Sequence, residues 1–193
     1  MNPLLAKLSP SVTHMIRLDH THVLATFHQY EADTPPGTKR AIVDTICVAL
    51  EIHAQLEEEI FYPAMRALPS GSTTIDKNQP EHDEMRRLIS KLRGMEATDA
   101  DFDRTLMELM RGVIHHVADE ETVLLHDAER LIPDQLSELG AKMTQRRFEL
   151  VLPRTGEIAG NMMRATPIKN ALMLLGLVAA GGYAVKRSRD TRS

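Results

Sequence analysis

The chain has 193 residues, about one and a third times the ~150 that serve as a per-domain prior, so one domain with an appendage is expected rather than two domains. Hydrophobic residues at 42% and charged residues at 26% exclude a disordered chain, and four Phe, three Tyr and no Trp argue against a β-sandwich or barrel. A formal charge of −4, with acids and bases interspersed, leaves no basic stripe for a phosphate backbone, so no nucleic-acid partner is expected.

Nine histidines outnumber all the aromatics together, and that imbalance needs an explanation. The single cysteine, Cys47, excludes an internal disulfide and every Cys-based zinc or iron–sulfur motif, and fits a reducing compartment. The first residues, Met-Asn-Pro-Leu-Leu-Ala-Lys, lack the pattern of a secretory signal, so a cytoplasmic protein is expected.

Proline and glycine clusters cut the chain into helix-sized pieces whose apolar residues step by threes and fours. The first helix is predicted over 11–32, with Ile16, His20, Val23, Phe27 and Tyr30 on one stripe. The second, over 38–67, carries Ile42, Ile46, Ala49, His53, Glu57, Ile60 and Ala64. The third, over 80–95, carries His82, Met85, Ile89 and Leu92. The fourth, over 99–130, carries Phe102, Leu106, Leu109, Val113, His116, Glu120 and Leu124. Thr98 with Asp101 reads as a capping box for this fourth helix, and Pro133 as the first-turn residue of a fifth. Four long helices with short connections predict an all-α fold, an up-down-up-down four-helix bundle with additional C-terminal helices.

Two of these helices repeat one motif. His53-Ala-Gln-Leu-Glu57-Glu58 and His116-Val-Ala-Asp-Glu120-Glu121 both read His-x-x-x-Glu-Glu. Residues four apart share a helix face, so each pair presents an imidazole nitrogen and a carboxylate to one point. Both pairs fall on the apolar stripe, where an ionised carboxylate costs several kcal/mol, roughly, unless it is paired or bound to a metal. In the fourth helix, His115 with Asp119 has the same spacing, but the stripe continues to 116 and 120, and position 115 points about 100° away. The other helices add His20 and His82, so four His and two Glu face one interior. Such donors suit iron, manganese or zinc, and the two carboxylates could each span a pair of ions.

Other residues have plainer readings. Glu58, Glu59, Glu121 and Asp119 read as a solvated face, with a carboxylate orienting an imidazole as the minority reading. His14, His22, His28, His115 and His126 read as rim or surface, the helical-spaced methionines as core filler, and Cys47 as a small buried residue. The ferritin-like arrangement uses Glu-x-x-His at three-residue spacing, inverted relative to this chain, and no His-Glu-x-x-His zinc motif occurs.

Asp19-His20, His53-x-x-x-Glu57-Glu58 with Phe61-Tyr62-Pro63, Glu81-His82 and His116-x-x-x-Glu120-Glu121 together resemble the hemerythrin-like, His-His-Glu cation-binding family. Leu136-Ser-Glu-Leu-Gly140-Ala-Lys-Met143 is similar to the tail helix that often follows that bundle, so the resemblance covers roughly residues 10–150. It implies two non-haem iron ions, with His20, His53, His82 and His116 as terminal ligands and Glu57 and Glu120 as bridges. It also implies dioxygen, peroxide or nitric oxide as small ligands. The oxygen-carrying members place two histidines four apart on the third helix, whereas here Asn78 and Arg86 flank His82 at that spacing. One imidazole is therefore missing. Either an iron is left more open, or a side chain such as Glu81 or Glu58 completes its shell, and sensing or redox chemistry is favoured over reversible oxygen carriage.

After a linker or helix extension at 151–167, residues 168–187 change character. Ala171 to Val185 is uncharged and mostly apolar, flanked by Lys169 and by Lys186, Arg187 and Arg189. As a helix, Ile168 to Val185 would span about 27 Å, against a hydrocarbon core of ~30 Å. Two readings stand side by side: a membrane anchor, or a helix packing on a partner such as a second copy in a homo-oligomer.

Overall fold

In the computed structural model, which describes residues 9–68 and 73–165, the bundle begins at α1 (Val12–Phe27). The Ser11 hydroxyl accepts a hydrogen bond from the His14 N–H, satisfying one of the free donors of the first turn. Helix α2 (Pro36–Leu56) opens with proline in its first turn, where the missing N–H costs nothing. It runs into a π-helical turn (Glu57–Phe61) and then α3 (Tyr62–Arg66). Next come α4 (Thr73–Arg93) and α5 (Phe102–Asp119). A second π turn (Glu120–Leu124) then leads into α6 (Leu125–Leu131). Beyond the bundle lie α7 (Leu136–Val151) and α8 (Thr155–Ala165), each preceded by a short 3₁₀ turn.

The fold is the expected one, with instructive differences at the element ends. Helix α1 stops at Phe27, although Tyr30 beyond it is still buried. Helix α4 starts seven residues before Pro80, the residue expected to open it. Proline lacks one N–H donor, but Ile75 and Asn78 on the extra turns are buried in the interior, and that packing outweighs the lost bond. Helix α5 starts at Phe102, and Asp101 makes no side-chain cap; instead the Asp99 carboxylate accepts from the Glu96 N–H in the preceding turn.

The π turns shift the buried stripe by one residue. After Glu57 a regular helix would bury Ile60 and Ala64, but these are only partly covered, while Phe61, Tyr62 and Met65 are fully buried. After Glu120 the buried positions are Leu124, Leu125 and Ala128, with Val123 exposed. In each turn the glutamate carbonyl accepts the N–H five residues on, from Tyr62 and from Leu125. Such single-turn π insertions are frequent at functional sites.

Two apolar clusters fill the bundle. One contains Ile16, Leu56, Phe61, Leu124 and the tail-helix residues Leu139 and Met143; the other contains Phe27, Ile46, Leu92, Phe102 and Leu106. Between them lies a polar layer. Helix α7 packs on α1 and α2, and α8 packs on α2. The apolar run Ala171 to Val185 falls outside the described residues, and among those described no helix is long and apolar enough to cross a membrane.

Candidate metal centre

The polar layer is built from the six stripe residues. His20 comes from α1, His53 from α2, His82 from α4 and His116 from α5, while Glu57 and Glu120 each begin a π turn. All six are buried, the two glutamates completely. His115, the alternative in α5, has a side chain 70% exposed, so the stripe phase selects the inward pair.

The Nε2 atoms and the carboxylates converge. His53 Nε2 lies 3.3 Å from Glu57 Oε1, and His82 Nε2 lies 3.4 Å from Glu57 Oε2, so the two oxygens of one carboxylate face different imidazoles. His20 Nε2 is 3.3 Å and His116 Nε2 is 3.7 Å from Glu120 Oε2. The donor atoms of His20, His53, His116 and Glu120 all lie within 4.8 Å of one another, as do those of Glu57, His82 and His116. His116 thus belongs to both groups.

The outer nitrogens meet four further carboxylates. His20 Nδ1 is 2.8 Å from Glu121, His82 Nδ1 is 2.9 Å from Glu58, and His116 Nδ1 is 2.9 Å from Glu81. Asp19 faces His53 Nδ1 at a longer 3.5 Å. Each acid follows or precedes a stripe residue by one position, and one step turns a helix by about 100°, toward its neighbour. Asp19 of α1 therefore serves α2, Glu58 of the first π turn serves α4, Glu81 of α4 serves α5, and Glu121 of the second π turn serves α1. The ring closes around the bundle. For His20, His82 and His116 an acceptor at Nδ1 holds the ring with Nε2 directed inward, the arrangement that metal-binding histidines use. Glu58 and Glu121 are not simply a solvated face, and Glu58 and Glu81 do not enter the donor cluster.

Tyr62 is what enters it. Its hydroxyl lies 3.1 Å from Glu57 Oε2, 3.3 Å from Glu120 Oε1 and 3.4 Å from His82 Nε2, and it accepts a hydrogen bond of 3.1 Å from Asn78 Nδ2. Asn78 occupies the place of the missing imidazole and holds a phenol at the site instead. Tyr62 is reached only because the π turn advances the stripe by one residue, a shift that the regular spacing conceals.

Electrostatics at this layer are unbalanced in the protein alone. Burial and the nearby Glu120 push the Glu57 carboxyl well above the ordinary range. For Glu120, burial is outweighed by the facing His20 and His116 imidazoles, which hold it down to about 2. Burial opposes protonation of His20, but Glu120, Glu57 and Glu121 raise it to about 9. Burial drives His53 down to about 4. Burial and the two carboxylates raise the Tyr62 phenol. Outside the layer, Arg147 and His53 overcome burial to hold Asp19 at about 2, and His82 and Arg86 do the same for Glu58.

Four inward atoms have no hydrogen-bond partner: Nε2 of His20 and of His53, Glu57 Oε1 and Glu120 Oε2. Orphaned buried donors and acceptors of this kind require an explanation, and four imidazoles with two carboxylates form a set that transition metals accept. A cation in the layer would satisfy all four atoms and neutralise the facing carboxylates, so the residues fit one. On the His20 and His53 side lies a cavity of about 10 Å³, lined by Val23, Leu50, Met85, Val113 and Val117 together with Asp19, His20, His53 and His116.

Comparison with known proteins adds three findings. The family described as hemerythrin HHE cation binding domain matches residues 11–128. A DNA nickase of Nostoc sp. is 27% identical over 118 residues, covering 61% of this chain and 33% of that protein, so the chain spans about a third of that relative's length. A solved structure from Mycobacterium kansasii, a hemerythrin HHE cation binding domain-containing protein, matches with a TM-score of 0.62 at 18% identity. It covers 81% of this chain and 99% of that one, a likeness of fold.

Proposed function

The chain belongs to the hemerythrin HHE cation-binding family, a family of metal-binding domains, and from that premise we propose that it holds two non-haem iron ions and binds or senses dioxygen or a related small oxidant. The observation that carries this reading is the coincidence of four inward atoms that make no hydrogen bond with an apolar-walled cavity of one-water size directly beside two of them. Iron supplies redox-active binding of dioxygen, nitric oxide or peroxide, which closed-shell zinc would not.

The protein's own groups have distinct parts. His20, His53, His82 and His116 would offer Nε2 to the ions, with His20, His82 and His116 held by carboxylates behind them and His53 faced by Asp19 at longer range. Glu57 directs its two oxygens to two different imidazoles, the disposition of a bridging group, and Glu120 turns one oxygen to both His20 and His116 and the other to Tyr62. The valines and Leu50 give the cavity an apolar wall, and its small volume excludes larger molecules. Tyr62 keeps a proton on its phenol oxygen, within hydrogen-bond reach of both carboxylates.

The hydroxyl of Tyr62, a hydrogen-bond donor beside both carboxylates, favours a second reading, reductive turnover of peroxide or nitric oxide with electrons from an external donor. Nicking of DNA is an activity of the longer Nostoc protein, and the acidic charge here gives it no support. A cytoplasmic setting accords with the lone buried Cys47.

Anaerobic loading with ferrous iron, followed by separate additions of dioxygen and nitric oxide, tests the reading. A change in visible absorption with either gas, absent in His53→Ala, is expected; an iron-loaded protein that responds to neither contradicts it. Sustained consumption of peroxide, lost in His116→Ala, distinguishes turnover from binding.

A further inference from the structure

Resting on the reading that small oxidants reach this centre, we propose that Met85 is a built-in oxidation site, converted to methionine sulfoxide by peroxide that enters the cavity beside His20 and His53. Met85 follows His82 by three residues on α4, one turn along the same face, and its side chain lines that cavity. The rest of the apolar wall, Val23, Leu50, Val113 and Val117, is saturated hydrocarbon that peroxide does not attack. The thioether is a soft two-electron donor.

The step balances with hydrogen peroxide as the only co-reactant. The peroxide O–O bond breaks, one oxygen becomes bonded to the Met85 sulfur, and the other leaves as water carrying both protons. Sulfur loses two electrons and the peroxide gains two. A bound cation would concentrate peroxide at the cavity, which bulk solvent reaches poorly because Met85 is only 6% exposed.

Location gives the reaction a signature. Met163 is 84% exposed and Met107 is 45% exposed, so peroxide acting from solvent modifies them first and Met85 late. Peroxide acting from the cavity reverses that order. The product is polar and bulkier, and the added oxygen takes up the space of about 10 Å³, so its formation closes the cavity to the next ligand. The site would then record oxidant exposure and shut itself off.

The test compares the full-length chain loaded with iron and freed of unbound metal against the metal-free chain, each given limiting hydrogen peroxide and followed by peptide mass spectrometry. In the iron form Met85 is expected to gain oxygen before Met163 and Met107; in the metal-free form it is expected to be among the last. Met85→Leu, a swap that nearly conserves volume, should keep its iron and keep its optical response through repeated peroxide additions that silence the unsubstituted protein. An iron-loaded chain that consumes peroxide while Met85 stays intact overturns the proposal and leaves the iron reading standing. Equal modification of Met85 with and without iron also overturns it. A chain that takes up no iron removes both.

Discussion

Glu57 and Glu120 concentrate the tension of the fold, since each is fully buried and each leaves an oxygen without a partner. A bundle made only for stability would place Leu at both positions. Substituting Glu57→Gln keeps the shape and removes the charge, so the metal-free variant should unfold at a temperature no lower than the unsubstituted protein, while any stabilisation by added cation is lost. Thermal melts with and without metal check this, and a metal-free variant destabilised by more than about 1 kcal/mol would show that the buried charge is stabilising without a cation. A second buried charge lies away from the site. Lys39, 7% exposed, bonds the Asp103 carboxylate at 2.8 and 2.9 Å, and Tyr30 donates to the same group. For Asp103 the cost of burial is outweighed by these two partners, and its carboxyl is held below the ordinary value. A folded value below the unfolded one means stability present above the unfolded carboxylate range of ~4 and lost as pH falls through the folded value. Asp103→Asn should therefore flatten the acid limb of the stability curve below about pH 4. An unchanged acid limb in denaturant melts across that range would contradict the assignment.

The elements show what periodicity can and cannot reveal. The six stripe residues were readable because four helices keep a 3.6-residue repeat up to each glutamate, and the same phase separates His116 from His115. Beyond each glutamate the π turn breaks that repeat, so Ile60 and Ala64 read as core while Phe61, Tyr62 and Met65 are the residues buried. Asn78 was hidden for another reason: it precedes Pro80, and a proline reads as a helix start until the packing of Ile75 shows why the helix continues. The acidic neighbours Asp19, Glu58, Glu81 and Glu121 did carry a signal, one acid beside a stripe residue in every bundle helix. Their partners lie on the next helix, which no single helix pattern specifies. Helix α7 has a sharp requirement of its own. A Cβ at Gly140 would sit 2.0 Å from the Pro10 carbonyl oxygen and 3.0 Å from the Ser11 and Val12 backbone. Gly140→Ala must therefore push α7 off the start of α1, with an expected loss of about 1–3 kcal/mol. Equal stability by chemical denaturation would show that the contact is not maintained in solution.

At the scale of the whole molecule, the residues beyond the matched segment 11–128 are tied into the centre. Arg147 of α7 grips Asp19, with its Nη1 2.7 Å from Oδ1 and its Nη2 on Oδ2, and Asp19 faces His53. The tail helix thus helps orient a candidate ligand, which gives part of the chain's extra length a role in the site. The polar layer between two apolar clusters is the remaining signature of a molecule completed by a cation, because a species that binds only the folded state must stabilise it. At a hundredfold excess over its dissociation constant the gain is about 2.7 kcal/mol, and for a domain of this size that raises the melting temperature by roughly 5–10 °C. The most direct measurement is anaerobic reconstitution with ferrous iron, followed by metal analysis of the isolated protein and a thermal melt of the same sample. Two iron ions per chain with a rise of that size, both lost in Glu57→Ala, are predicted; a stoichiometry near zero, or full loading in the Glu57→Ala variant, would contradict the account.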